Sequence, residues 1–379
     1  MGEGSWTLAL LGMRHEGVFS IKEKMAESRP KDDKTALMRA CRAGDGASVR
    51  TLVDETTPEQ LDKQSSLGWT ALMLAAKQGH ADCVQLLLRA SAAPDRPCAG
   101  ASHLAGWRPV HLAAQGGHGA CVALLLGARA AVTVDAPRPD GHTPLMLSAA
   151  HGHAACAAAL IERRAAVDAT MRHGWTALHL ASLHGHSGCT SLLCSARAEV
   201  DREEIDGATA LMVGARQGSV ACVRALLDAG ADAGRPRAAH RGLVPLHAAC
   251  SNGHGGACET LLRAGCDVDA RDDDGWHALL FAAIEGHAEC VQLLLEHGAH
   301  ANQLTDDGSS PLLAACSRGL AGLAQLLLAA RAEPNLARSD GTTPLTAALA
   351  TRHGKLVTLL VGAGASIDRL VLTHAHALP

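Results

Sequence analysis

Apolar and polar positions follow each other along the chain in a block that recurs about every 33 residues. Each block holds a short apolar run, a glycine, and a second apolar run spaced like one face of a helix. We number the columns of this block from m, the residue that closes triplets such as T-A-L and T-P-L. The ten m positions are spaced by 35, 38, 35, 33, 33, 35, 33, 33 and 33 residues and are Leu37, Leu72, Val110, Leu145, Leu178, Leu211, Leu246, Leu279, Leu312 and Leu345.

Three further columns are almost invariant within the chain. Column m+15 is Leu in all ten blocks, from Leu52 to Leu360. Column m−4 is Gly in nine blocks, with Asp33 in the first, and column m+7 is Gly in nine, with Arg352 in the last. Glycine adopts positive φ without a steric penalty, so the two glycine columns predict tight turns on either side of a short helix.

The residues just before m predict where that helix begins. Column m−2 carries a hydroxyl in most blocks, as in Thr70 and Thr176, and a hydroxyl there accepts a hydrogen bond from a free helical N–H. Column m−1 is often Pro, which loses nothing at the first helical position. We therefore predict a first helix from m−1, such as the run Leu178 to His184, and a second helix that carries the m+15 leucine.

This pattern resembles the ankyrin repeat, most clearly in GWTALHLASLHGH from Gly174 to His186. The resemblance covers about residues 33–368 and implies an all-α repeat solenoid, a stack of helix-turn-helix units joined by β-hairpin-like loops. We divide the chain into an N-terminal extension (1–30), an array of about ten repeats (31–368) and a C-terminal tail (369–379). Segment Trp6 to Met13 either packs on the first repeat or belongs to a disordered arm.

Insertions interrupt the regular step at four places. The longest lies around Ala93 to Ala105, and shorter ones lie near Thr56 to Leu61, Val134 to Pro139 and Arg235 to Arg241. Proline and glycine in the longest one predict a loop.

Composition and charge exclude several classes of function. A net charge of −4 without a basic stripe argues against nucleic-acid binding. The N-terminus is a poor signal peptide, and no apolar run is long enough to cross a membrane. The thirteen cysteines, an odd number spread over 379 residues, do not resemble a secreted disulfide framework. We expect an intracellular, cytoplasmic monomer, with the nucleus left open.

The sequence holds one pattern that suggests metal chemistry. His-x-x-Cys occurs five times, as in His80/Cys83 and His186/Cys189. Because the residues fall in fixed columns, they form a ladder and do not converge on one point, as a tetrahedral site requires. We expect no metal, no cofactor and no catalytic site. Cys98, close to Arg96, is the one candidate for a reactive thiol, and a plain loop cysteine is the favoured interpretation.

The resemblance implies that a protein partner binds at the concave face and hairpin tips. Column m−3, on the hairpin, holds four of the five tryptophans: Trp69, Trp107, Trp175 and Trp276. Tryptophan is frequent in interface hot spots, although each indole could instead pack within the array. Columns m+5 and m+6, late in the first helices, supply the other expected partner-binding residues: Lys77, Gln78, Gln115, His151, His184, Arg216, Glu285 and Arg318.

These features together predict a protein–protein interaction module acting as an adaptor or scaffold. The alternative is an inhibitory or targeting subunit of an enzyme complex containing a kinase, a phosphatase or a ubiquitin ligase.

Overall fold

The computed structural model describes residues 34–99, 105–128, 132–237 and 241–366. Within these ranges each of the ten repeats contributes a first and a second helix. The first helices are Ala36–Ala43, Ala71–Gln78, Pro109–Gly116, Pro144–Ala150, Ala177–Leu183, Ala210–Arg216, Pro245–Ser251, Ala278–Glu285, Pro311–Ser317 and Pro344–Ala350.

The second helices begin shortly after the turn glycine. They are Gly46–Asp54, Ala81–Arg89, Gly119–Leu126, Ala154–Glu162, Ser187–Ser195, Val220–Asp228, Gly255–Arg263, Ala288–Glu296, Ala321–Ala329 and Gly354–Gly362. Two short elements are added, a helix Pro58–Leu61 inside one insertion and a 3-10 turn Arg172–Gly174. The predicted all-α repeat solenoid is confirmed.

The predicted caps and turns form in the described repeats. Thr70 Oγ1 accepts from the N–H of Met73 at 3.1 Å, and hydroxyls of the same column cap six other first helices. The turn glycines have positive φ, such as 82° at Gly68 and 78° at Gly79. Arg352, which replaces the last m+7 glycine, keeps the same left-handed conformation at φ 58°.

Each hairpin between repeats is held by one main backbone hydrogen bond across its base. The residue that opens the hairpin donates its N–H to the carbonyl of the m−3 residue, as from Met171 to Trp175 at 2.9 Å and from Arg237 to Leu243 at 2.8 Å. Isolated bridges, not strands, are the β structure in the described ranges. The predicted hairpin-like loops are therefore present, each with one main bridging backbone hydrogen bond and no extended strands in the described ranges.

The core lies between the two helix layers and runs continuously through the array. First helices pack on neighbouring first helices and second helices on neighbouring second helices. The m residues of all ten repeats and the m+15 leucines of repeats 2 to 10 are buried, whereas Leu52 of the first repeat is half-buried. Small residues such as Ala75, Ala113 and Cys121 fill the space between helices, which allows close packing with few aromatic rings.

Two ladders of side chains join each repeat to the next. Histidines of column m+8 donate from Nε2 to the m+5 carbonyl of the preceding repeat, as from His118 to Lys77 at 3.0 Å. Acidic and amide side chains of column m−10 accept from a backbone N–H 31 residues later, as Asp135 does from Ala166 at 2.9 Å. These contacts fix the rotation of one repeat on its neighbour.

The N-terminal extension, the C-terminal tail and part of the longest insertion lie outside the described residues. The predicted boundaries at residues 30 and 368 therefore stay predictions. Among the described residues, the helices are all too short to span a membrane.

Candidate partner-binding surface

The ends of the first helices form a polar strip along the array, which we call the first-helix strip. Its residues come from columns m+5 and m+6, where each first helix approaches its turn glycine. The eight residues expected from the sequence all lie at the surface, three of them exposed and five half-buried: Gln78, His184 and Arg318, then Lys77, Gln115, His151, Arg216 and Glu285. All eight reach the surface because they occupy equivalent positions in their repeats.

The charge of this strip is mixed. Lys77, Arg216 and Arg318 alternate with Glu285 and with neutral amides and imidazoles. His151 and His184 lie beside the histidine ladder, with the ring centroids of His184 and His186 6.1 Å apart. A strip of both signs with hydrogen-bonding side chains suits the polar part of a protein interface better than a phosphate backbone.

The tryptophans of column m−3 are placed differently from the expectation of free anchors at hairpin tips. Trp69, Trp107 and Trp175 are buried, at 9%, 5% and 6% relative exposure. Trp276 is half-buried. Side chains of the adjoining first helices lie against Trp69, Trp175 and Trp276, and Arg138 of the next hairpin covers Trp107. The expectation of exposed tryptophans at hairpin tips is therefore corrected for Trp69, Trp107 and Trp175, which pack within the array.

Cationic side chains cover two of these indoles. The Lys77 ammonium lies 5.1 Å from the ring centre of Trp69 in the same repeat. The Arg138 guanidinium, which opens the next hairpin, lies 3.9 Å from the ring centre of Trp107. Because Lys77 is itself in the first-helix strip, the buried Trp69 ring packs directly against a strip side chain.

A recess interrupts the first-helix layer between repeats 6 and 7, at the strip residue Arg216. Its apolar lining comes from Ala208, Met212 and Val213 on one side and from Leu243 and Ala248 on the other, with the guanidinium groups of Arg216 and Arg237 beside them. Sequence reasoning named Arg216 but missed Arg237. The available signal was an arginine opening a hairpin directly after a repeat that lacks the m−3 tryptophan.

Arg237 is 6% exposed and lies close to an equally buried carboxylate. Its Nη2 is 3.7 Å from Glu204 Oε1, and its Nε donates to the Asp206 carbonyl at 2.9 Å. The Nη2 atoms of Arg237 and Arg216 make no hydrogen bond. Burial lowers the pKa of both guanidinium groups, an effect that the Glu204 charge opposes.

The His-x-x-Cys residues form the predicted ladder. The imidazoles donate to backbone carbonyls of the preceding repeat, as His80 and His186 do, and the five thiols of the motif are buried. Burial raises the pKa of Cys121, Cys156 and Cys189 to about 11, so these thiols stay protonated near neutral pH. In the described ranges, three or more potential ligands nowhere gather in a group able to hold a metal ion.

Cys98 is a buried residue that opens the hairpin between repeats 2 and 3. It is 3% exposed, donates its backbone N–H to the Trp107 carbonyl at 2.7 Å, and directs its thiol to the Leu67 carbonyl at 3.3 Å. Reactivity requires an accessible thiolate. Cys98 is therefore a buried loop cysteine and not an exposed reactive thiol.

Four histidines are buried in the array as neutral groups. Burial lowers the pKa of His111, His179, His247 and His277 to about 4. Each donates from Nε2 to a backbone carbonyl of the following hairpin region, as His247 does to Ala270 at 2.9 Å. They hold hairpins to the beginning of the first helices.

Comparison with known proteins agrees with this architecture. A family model described as ankyrin repeats (3 copies) matches residues 9–98, 96–171, 165–237, 211–305, 246–338 and 297–370. No curated protein matches the chain. Among solved structures, the ankyrin repeat domain of Bcl-3, described as a unique member of the IkappaB protein family, matches with 31% identity and a TM-score of 0.52. That match covers 58% of this chain and 99% of the Bcl-3 chain.

Proposed function

The chain belongs to the ankyrin-repeat family, whose repeats indicate a protein–protein interaction module, and we propose that it acts as an adaptor or scaffold through its first-helix strip. The observation that carries the proposal is the surface position of equivalent side chains along the array, with Gln78, His184 and Arg318 exposed and the other five half-buried. Trp69, one of the tryptophans that the sequence suggested as anchors, packs against the strip residue Lys77.

The size of the strip supports a protein partner. Packed helices lie about 10 Å apart, so seven steps from repeat 2 to repeat 9 give a length of roughly 70 Å. A standard interface buries about 800 Å² on each partner. A folded partner covering only part of the strip would meet that area.

We also propose a cell compartment for the chain and keep a regulatory role as the alternative function. All thirteen cysteines are free thiols, which supports a reducing, intracellular setting, with the cytoplasm as the expected place. The chain is proposed to bind as a monomer and without a cofactor. An inhibitory or targeting subunit would use the same strip. That role would be indicated if the bound partner is an enzyme whose rate or location changes when the chain is added.

Site-specific photo-cross-linking in the native cells tests the proposal. A benzoylphenylalanine at Gln78, His184 or Arg318 places the cross-linker on the strip. The matched control places it at Gln85, Arg224 or Gln325, which are exposed on second helices. We expect one discrete adduct from the strip positions and none from the control positions. The same adduct from control positions alone would overturn the assignment of the strip.

A further inference from the structure

The middle of the first-helix strip differs from its surroundings in charge. In repeats 3 to 6, columns m+5 to m+13 cover the end of the first helix, the turn and the first half of the second helix. We call these four stretches the middle section: residues 115–123, 150–158, 183–191 and 216–224. The middle section holds no aspartate or glutamate, whereas Asp82 and Glu259 occupy the same stretch of the flanking repeats 2 and 7. A partner lying over these four turns therefore meets no acidic side chain from them.

Basic side chains occupy the turns of the middle section instead. Five imidazoles and one guanidinium lie in columns m+5, m+6 and m+8: His118, His151, His153, His184, His186 and Arg216. Those of column m+8 stabilise the array, because each donates from Nε2 to a carbonyl of the preceding repeat at 3.0 or 3.1 Å. The strip residues His151, His184 and Arg216 are at the surface, with His184 exposed and the other two half-buried. These three are the basic groups that a partner can contact.

The acidic side chains of the same repeats lie at the opposite end of the helices. The first helix runs from the hairpin to the turn and the second helix returns, so Asp135 and Glu162 lie on the hairpin side. A first helix of seven residues, such as Ala177–Leu183, is about 10 Å long, which exceeds the screening length of roughly 8 Å in physiological salt. Arg216 also interacts with a hairpin carboxylate, that of Glu204. The basic groups at the turns therefore have few acidic groups of the chain within reach.

We propose that the middle section binds an acidic, extended segment of the protein partner, whose carboxylates pair with His151, His184 and Arg216. The inference rests on the proposed function and names the chemistry that one part of the strip recognises. Hydrogen bonds from imidazolium or guanidinium groups to carboxylates are shorter and stronger than neutral ones. A segment that carries carboxylates therefore gains contacts here that a neutral segment lacks.

The spacing of the three basic residues matches an extended chain. They belong to the consecutive repeats 4, 5 and 6, and packed helices lie about 10 Å apart. An extended segment advances about 3.3 Å per residue, so every third side chain comes level with the next repeat. Three steps, from Gln115 to Arg216, correspond to roughly 30 Å, the length of about ten residues. We therefore expect a segment of this length with a carboxylate at every third position.

Protonation couples this contact to pH. Nδ1 of His151 donates to the Leu147 carbonyl at 2.9 Å, so the second proton of the ring is carried by Nε2, which then donates to a carboxylate. Imidazoles ordinarily take up this proton between about pH 8 and pH 5. The basic groups beside the two strip rings are His153 and His186 in their own repeats and His118 and Arg216 in the adjoining ones. None of them is a carboxylate, so the carboxylates come from the partner and binding strengthens as pH falls.

A protein segment fits the middle section better than a nucleic acid does. The chain carries a net charge of −4, and Asp82 and Glu259 flank the section on either side. A phosphate backbone longer than about four repeats would meet both carboxylates, whereas a short acidic segment ends before them.

The test uses a probe of about ten residues on the full chain, followed by backbone amide resonances in nuclear magnetic resonance spectra. The probe is capped at both ends and has glutamate at every third position, with glycine and serine between. A peptide with glutamine in place of glutamate and a thymidine strand of similar length are the controls. We expect the glutamate peptide to shift the amides of Gln115, His151 and His184 in a saturable way, with Kd about three-fold lower at pH 6 than at pH 7.5. The glutamine peptide should bind about five-fold more weakly at pH 6.

Three variants locate the probe and assign its pH dependence. His151→Gln combined with His184→Gln removes both strip imidazoles, and this variant should have the same Kd at the two pH values. His297→Gln, the matched control, changes an exposed imidazole that follows a second helix, and should keep the pH dependence of the wild type. Circular dichroism checks that all remain helical. Arg216→Gln, which should raise Kd about three-fold at both pH values, carries the test if the double variant unfolds.

Each result supports the proposal or overturns it. Equal binding of the glutamine peptide would show that carboxylates are not recognised, and tighter binding of the thymidine strand would make the section a nucleic-acid site. Unchanged pH dependence in the double variant would place the peptide elsewhere, and no shift at the highest probe concentration also overturns the proposal. These failures leave strip-directed cross-linking unaffected, whereas cross-links from the second helices alone would overturn the proposed function whatever the peptides do.

Discussion

The imidazole of His186 covers Gly152 of the preceding repeat so closely that a Cβ atom on Gly152 would lie 2.6 Å from His186 Nδ1. The same imidazole donates from Nε2 to the Ala150 carbonyl at 3.1 Å. The turn glycine therefore serves two purposes, positive φ within its own repeat and room for the histidine of the next. The break in this ladder at Ser219 provides an internal control.

Gly152→Ala is predicted to destabilise the array more than Gly185→Ala. Both residues have positive φ, 76° and 71°, so the backbone penalty is shared. A Cβ at Gly185 meets only the Ser219 side chain, with Oγ nearest at 3.4 Å, whereas one at Gly152 displaces His186. We expect an extra loss of about 1 kcal/mol, the size of one hydrogen bond, in the free energy of unfolding by urea. Equal losses would show that the histidine ladder contributes nothing.

Trp175→Ala is predicted to act on stability. The indole is 6% exposed, and its ring centroid lies 5.6 Å from that of the buried His179. Truncation should lower the free energy of unfolding by about 3 kcal/mol, because it leaves a cavity between a hairpin and a first helix. His184→Ala, at an exposed strip position, serves as the control and should change stability by less than about 0.5 kcal/mol. A stable Trp175→Ala chain that loses its partner would contradict this distinction.

Acid is predicted to weaken the array through its buried histidines. His247 has a folded pKa of about 4 against an ordinary value of 6.5, so the unfolded chain binds the proton first as pH falls. Stability is therefore intact above pH 6.5 and falls between 6.5 and about 4. Between pH 7 and pH 5, this one group should remove about 2 kcal/mol from the free energy of unfolding.

His247→Gln isolates that contribution, because the amide keeps a donor for the Ala270 carbonyl and does not titrate. The variant should lose less stability than the wild type between pH 7 and pH 5, by about the same 2 kcal/mol, in matched urea unfolding curves. Identical slopes for the two proteins would mean that His247 is not held neutral by burial.

The regular part of this fold was predictable because the residues that form the turns and caps of each repeat lie within that repeat. Thr176, Gly174 and Leu193 act through contacts within about one repeat, so their columns carry the information directly. The surface position of the eight strip residues was predictable for the same reason, since it follows from their place before the turn glycine. The helix Pro58–Leu61 was not, because an insertion breaks the register that supported the other predictions.

The burial of the tryptophans could not be predicted from column m−3 alone. Trp107 is covered by Arg138, which belongs to the next repeat and lies 31 residues later. A single column does not reveal which neighbour reaches across the stack. The recess was missed for the same reason, since it depends on Ala208, Arg237 and Ala248 occurring together in two adjacent repeats.

Two matched variants test whether the first-helix strip binds the protein partner, as we propose. A strip variant changes Gln78, Gln115, Glu285 and Arg318 to Ala, and a matched variant changes the second-helix residues Gln85, Gln325, Glu289 and Arg224 to Ala. The two variants remove the same residue types and keep equal net charge. All four control residues are exposed.

Titration of the cross-linked partner, purified, against wild type and both variants by calorimetry is the most direct measurement. We expect the strip variant to raise Kd at least ten-fold, which corresponds to about 1.4 kcal/mol, and the second-helix variant to stay within about two-fold of wild type. The opposite order, with the second-helix variant losing affinity and the strip variant retaining it, would contradict the account.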